Sequence, residues 1–221
     1  MPDLSVVYDL ARLLLPFECM DARFMQRALL GLLMLCPMAA VMGVQVVNFR
    51  MAFFSDAISH SAFAGVALGL IFSLNPQWTM PAFGLIVGLT IMAAQRRTSL
   101  STDTVIGVFF SAVLAFGLAA VSRDRTSGAD IQQFLYGDIL SIGDTDIVLL
   151  ALLCVVLVIF QAWGYNRMLY LGLNRTLAGV HRVRVAVYQY IFAGLLSLIV
   201  MFSVRAVGVL LVTAMLIVPA A

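Results

Sequence analysis

An aspartate and a histidine lie four residues apart inside an apolar stretch of the sequence. Asp56 and His60 are interleaved with the small polar residues Ser55, Ser59 and Ser61. Residues four apart stack on one face of an α-helix, so the two side chains can act together. A carboxylate and an imidazole are both ligands for first-row divalent metals. The pattern admits three interpretations: a metal-ion site, a buried Asp–His hydrogen bond that fixes a helix–helix contact, or a proton relay.

The depth of this pair favours a role in transport. His60 lies ten residues after Arg50, a rise of ~15 Å along a helix, which is about half of a ~30 Å hydrocarbon layer. Ionisable groups at that depth are costly and mark ion pathways or relays. Two ligands alone bind an ion weakly, and a transport site needs that weakness because the ion must leave again.

The elements that position this pair must be membrane-spanning helices. The chain has 221 residues, of which 63% are hydrophobic and only 11% are charged, whereas soluble domains carry about 25% charged residues. A net charge of +2 gives no reason to expect a nucleic-acid surface. The composition therefore predicts an all-α protein that is embedded in the lipid bilayer.

Apolar runs predict a single polytopic helical domain over residues 1–221. The last run ends at Ala221 without a charged or polar anchor, so we expect a chain truncated within a helix and an eighth span in the complete protein. Seven spans are predicted, at residues 28–48, 51–73, 80–95, 104–121, 144–163, 186–204 and 206–221.

Three polar segments are predicted to lie at the membrane surface or at helix ends. Residues 1–27 mix apolar and charged side chains and favour an interfacial amphipathic segment. Residues 131–143 are too short and polar to span and favour a re-entrant or interfacial helix. Asp138 within them is interpreted as an interfacial cap, with an outer gate or a cation attractor as the alternatives. Asp103 begins a span, where helix capping is sufficient to explain it.

The connection at 165–184 carries four arginines and no acidic residue, which favours a cytoplasmic location. Its arginines, Arg175 among them, can set topology, contact anionic lipid or dock a soluble partner.

The sequence contains no P-loop or other catalytic motif. We therefore predict that the chain is not an enzyme, and that any ATP hydrolysis belongs to another subunit.

Four stretches of the sequence resemble, in the same order, the signatures of the permease subunits of zinc-, manganese- and iron-type ABC importers. Together they cover most of the chain. They are Phe49–Ser61 running on to Gly69, Ser101–Gly107, Phe134–Leu140, and Val207–Ala214 running on to Ala221.

The resemblance implies a permease of the bacterial inner membrane that passes a divalent metal ion by alternating access. It implies a second permease copy with the pore between the two, a cytoplasmic ATP-binding subunit and an extracytoplasmic metal-binding protein. Asp56 and His60 match the family's pore metal-coordinating positions. The cargo is zinc, manganese or iron, and no cofactor is permanently bound. The stretch that matches the coupling helix is Ala178, Gly179 and Val180, with Arg175 just before it.

Three functions other than ATP-driven import of a bare metal ion are also compatible with the sequence. An ion- or proton-coupled secondary carrier would use Asp56 and His60 as a proton relay. An intramembrane metalloenzyme would need a third ligand and a general base near His60, and the sequence offers no obvious one. A permease for an organic metal chelate is possible, although a carboxylate–imidazole pair favours a bare ion. The choice among metals stays open, since histidine only favours zinc.

Overall fold

The computed structural model describes residues 21–122, 137–173 and 185–220. Within these ranges the chain forms helices and no strand. A short 3-10 turn, Ile139–Ser141, precedes the fifth helix, and another, Val218–Ala220, follows the last. The helices are α1 (Arg23–Asn48), α2 (Ala52–Ile71), α3 (Pro76–Arg97), α4 (Thr102–Ser122), α5 (Asp144–Leu173), α6 (Val185–Val207) and α7 (Val209–Ile217).

The predicted all-α polytopic bundle is confirmed. Six helices, α1 to α6, are long and apolar enough to cross a membrane. The seventh predicted span is wrong in its start and its length. Residues 206 and 207 belong to α6, and α7 has only nine residues before the 3-10 turn. The break falls at Gly208, whose φ of 82° and ψ of 163° are incompatible with a helix.

The start of α1 and the end of α5 also differ from the prediction. In both places the helix extends over charged residues whose side chains contact a neighbouring helix. Helix α1 begins at Arg23, inside the segment predicted as interfacial, and Arg27 pairs with Asp144 at 2.8 Å. Residues 1–20 lie outside the described part of the chain. Helix α5 continues to Leu173, well past position 165, and the Arg167 guanidinium lies over the Tyr188 ring, 5.5 Å from its centroid.

Charged residues at the helix ends follow the helix dipole. Arg96 and Arg97 occupy the last turn of α3, and Asp144 and Asp146 occupy the first turn of α5. Each charge opposes the partial charge of the backbone groups at that terminus. The start of α3 also has a side-chain cap, since the Asn75 side chain accepts from Gln77 N at 2.9 Å.

Helix α2 lies at the centre of the bundle and contacts α3, α4, α6 and α7. Small residues allow these close approaches, as in many membrane helix pairs. A Cβ placed on Gly65 would come within 2.9 Å of the Met80 Cα in α3, and one on Gly117 of α4 would come within 3.1 Å of Ala64 N. Helix α2, which carries Asp56 and His60, is therefore held by four surrounding helices.

Polar contacts gather at the end of the bundle where α5 begins, here called the Asp146 end. Asp146 accepts from Arg205 at 2.8 Å and from Gln77 at 3.2 Å, and the Arg205 carbonyl accepts from Asp138 N at 3.2 Å. Helices α1 and α5 finish together at the opposite end, the Arg50 end, where the Gly172 backbone closely approaches the Asn48 side chain.

Candidate metal-ion site

Asp56 and His60 lie one turn apart in the first half of α2, and both are half-buried. Asp56 accepts a hydrogen bond at Oδ1 from the Thr213 hydroxyl of α7, with an oxygen–oxygen distance of 2.7 Å. The two residues are 157 positions apart in the sequence. The carboxylate is thus oriented by a helix other than its own.

The imidazole of His60 packs against aromatic rings and leaves a polar atom unsatisfied. Its ring lies edge-on to Phe110, with centroids 5.2 Å apart, and 6.0 Å from the Phe63 ring. Its Nδ1 atom is buried and has no hydrogen-bond partner among the residues that the structure describes. Buried polar atoms are nearly always satisfied, so an orphaned imidazole nitrogen calls for an explanation. Either an ordered water or a cation would satisfy this nitrogen.

A cavity of about 370 Å³ opens beside Asp56, between α2 and α4. It contains a second carboxylate, that of Asp103, in the first turn of α4. The remaining lining residues are Phe53, Ile106, Gly107, Phe110 and Ser111. The two carboxylates make the cavity acidic, and this negative charge would attract a cation.

Asp103 has a different position from that expected of a cap. The cap of α4 is the hydroxyl of Ser101, which accepts from Thr104 N at 3.2 Å. Asp103 is exposed and projects from the first turn on the same face as Gly107 and Ser111. The four-residue spacing of these three positions was the sequence signal that could have placed Asp103 beside the site.

Asp138 caps a short turn away from this cavity. Its Oδ1 accepts from Leu140 N at 3.1 Å, at the start of the Ile139–Ser141 turn. This geometry matches the capping interpretation. Asp138 belongs to the Asp146 end, where its backbone contacts Arg205.

The predicted coupling residues fall outside the described part of the chain. Arg175, Ala178, Gly179 and Val180 all lie between Leu173, where α5 ends, and Val185, where α6 begins. Within the described ranges, no group of three or more His, Cys, Asp or Glu residues could hold a metal ion.

Comparison with known proteins assigns the family. The model of the ABC 3 transport family matches residues 21–221. The membrane protein ZnuB of a high-affinity zinc uptake system from Haemophilus influenzae is 31% identical over 194 residues, covering 88% of this chain and 74% of that protein. The permease protein ScaB of a manganese import system from Streptococcus parasanguinis is 31% identical over 198 residues, covering 90% and 70%.

A solved structure has the same fold. PsaBC from Streptococcus pneumoniae, in complex with a Fab, superposes with a TM-score of 0.73 and 28% identity, covering 89% of this chain and 70% of that one. Six apolar helices of spanning length agree with the membrane proteins among these relatives. The chain therefore belongs to the ABC 3 transport family, as a multi-pass permease subunit of the bacterial inner membrane.

Proposed function

We propose that this permease imports a divalent metal ion, zinc or manganese, and that Asp56 and His60 bind the ion transiently on its way. The observation that carries the proposal is the cavity lined by two carboxylates, that of Asp56 in the first half of α2 and that of Asp103 in the first turn of α4. The relatives are named for zinc and for manganese uptake. A mixed oxygen and nitrogen ligand set suits both metals.

The proposed path runs from the Asp146 end to the Arg50 end, which we place in the cytoplasm. The ion would reach His60 and Asp56 in the bundle and leave past Asp103 near the start of α4. Carboxylates lower the cost of bringing a cation to that depth, because each offers a full opposite charge where lipid offers none. Since few ligands hold the ion, release stays fast enough for transport.

A second permease copy is proposed to cover the open side of the cavity. Asp56 is only half-buried and Asp103 is exposed, an arrangement that lipid tolerates poorly. The exposed face of α4 beside them presents small residues every four positions, a pattern that lets membrane helices pack closely. These are Gly107, Ser111, Ala115 and Ala119. A symmetric pair would bring two copies of each ligand to one pore.

Cysteine cross-linking tests this interface. In a variant without its three native cysteines, Ser111→Cys is expected to form an intermolecular disulfide in membranes treated with a mild oxidant. The reason is that position 111 lies on the small-residue face and close to the expected symmetry axis. Val155→Cys, on the exposed apolar face of α5, serves as the control and should stay monomeric. Equal cross-linking at both positions, or none at position 111, contradicts the interface.

Energy is proposed to come from a separate cytoplasmic ATP-binding subunit that docks on the connection containing Arg175, Ala178, Gly179 and Val180. An extracytoplasmic metal-binding protein would deliver the ion to the other side. The support is membership of an ABC transport family in a chain whose sequence contains no P-loop.

Reconstitution separates this proposal from a secondary carrier. Permease and ATP-binding subunit in liposomes are expected to accumulate zinc or manganese only with ATP, and dissipating the proton gradient should not stop them. Arg175→Glu is expected to retain ion binding and to lose ATP-driven uptake, because it reverses a charge at the docking site. Accumulation by the permease alone, driven by a proton gradient, would favour the secondary carrier instead.

A further inference from the structure

Thr213 uses its hydroxyl differently from Thr90 in α3 and Ser197 in α6. The Thr90 hydroxyl donates to the Ile86 carbonyl at 2.6 Å, and the Ser197 hydroxyl donates to the Ala193 carbonyl at 2.7 Å. Both bonds stay within one helix, which is the usual arrangement for a hydroxyl in lipid. Thr213 instead donates across the bundle to the carboxylate of Asp56.

The backbone around α7 aims Thr213 at this carboxylate. Helix α6 stops at Val207, and Gly208 changes the chain direction with its positive φ before α7 begins. Val209, Val212 and Leu216 are each only 1% exposed, so one face of α7 is fixed in the core. Thr213, next to Val212, is held at the border of that face and directed toward α2.

We propose that Thr213 is a positioning residue that orients the Asp56 carboxylate for the metal ion. This inference rests on the proposed function. A hydroxyl bonded to Oδ1 restrains rotation of the carboxylate, so Oδ2 keeps one direction toward the ion. Hydrogen bonds to a metal ligand from outside the coordination shell set ligand direction and basicity, and losing one typically weakens metal affinity about 10–100-fold.

Two conservative substitutions separate orientation from packing. Thr213→Val keeps the branched shape and removes the hydroxyl, whereas Thr213→Ser keeps the hydroxyl and removes a methyl group. In the purified permease–ATPase complex, Thr213→Val is expected to weaken zinc binding about 10-fold or more and to raise the KM for uptake by a similar factor. Thr213→Ser is expected to bind zinc nearly as tightly as the wild type. The melting temperature of Thr213→Val should stay close to that of the wild type.

The control is Asp56→Ala, measured in the same zinc-binding assay. If Asp56→Ala abolishes binding while Thr213→Val binds like the wild type, the positioning role is wrong and the proposed function stands. Normal zinc binding by Asp56→Ala would instead contradict the proposed function itself. A Thr213→Val protein with a lower melting temperature but unchanged affinity would show a packing role only. If Thr213→Val does not fold, Thr213→Ala carries the same expectation, and failure of both to fold also overturns the inference.

Discussion

Replacing Asp56 or His60 with alanine is expected to abolish zinc and manganese uptake while leaving membrane insertion intact. Asp56 supplies the carboxylate at the inner end of the acidic cavity, and His60 supplies a buried nitrogen without a partner in the described structure. Both lie on α2, at the centre of the bundle. Without either group the ion loses a ligand at the depth where lipid and apolar side chains offer no substitute.

Radioactive zinc and manganese uptake, measured in cells that lack other high-affinity importers, checks this expectation. Asp138→Ala is the matched control, because that aspartate caps a short turn away from the cavity, and it should retain uptake close to wild type. The amount of each variant in the membrane is measured alongside. Wild-type uptake by both Asp56→Ala and His60→Ala would eliminate them as the ion site.

Replacing Gly208 with alanine is expected to destabilise the protein and disrupt the ion site at the same time. Its φ of 82° and ψ of 163° lie in a region essentially restricted to glycine, where another residue costs about 1–3 kcal/mol. Gly137, itself at a φ of 71°, packs directly against the Gly208 backbone. A change of direction at Gly208 would move Thr213 away from Asp56.

Thermal unfolding in detergent is the measurement, with uptake recorded on the same preparations. A loss of 1 kcal/mol lowers the melting temperature of a chain this long by about 2–4 °C. Gly194→Ala is the matched control on α6, since its added methyl group would meet only Leu85 at an ordinary 3.5 Å. If both alanine variants melt and transport alike, the Gly208 conformation has no special importance.

The spans could be predicted from the sequence because the bilayer imposes a length and a composition on each helix. Errors arose where a charged or polar residue was treated as a boundary. Arg205 was placed between two spans, yet it lies in the last turn of α6 and pairs with Asp146. The break occurs three residues later, at Gly208, because backbone conformation and not charge ends that helix.

Only some residues of the candidate site could be predicted from the sequence. Asp56 and His60 could be proposed as a pair because they lie one turn apart on one face of an apolar helix. Thr213 could not be found, since its contact with Asp56 depends on the direction given to α7 by Gly208 and on packing between distant segments. Asp103 was given a capping role that Ser101 performs, and its place in the cavity follows from the packing of α2 against α4.

The position of the bound ion decides whether Asp56 and His60 form the metal site. Zinc added to the purified permease complex can be located by anomalous X-ray scattering in crystals, with data collected on both sides of the zinc absorption edge. We expect an anomalous peak within coordination distance, about 2.0–2.2 Å, of an Asp56 carboxylate oxygen and a His60 nitrogen. The peak should be absent in Asp56→Ala. A zinc peak within the membrane span that contacts neither residue, or one that persists unchanged in Asp56→Ala, would rule out Asp56 and His60 as the ion site.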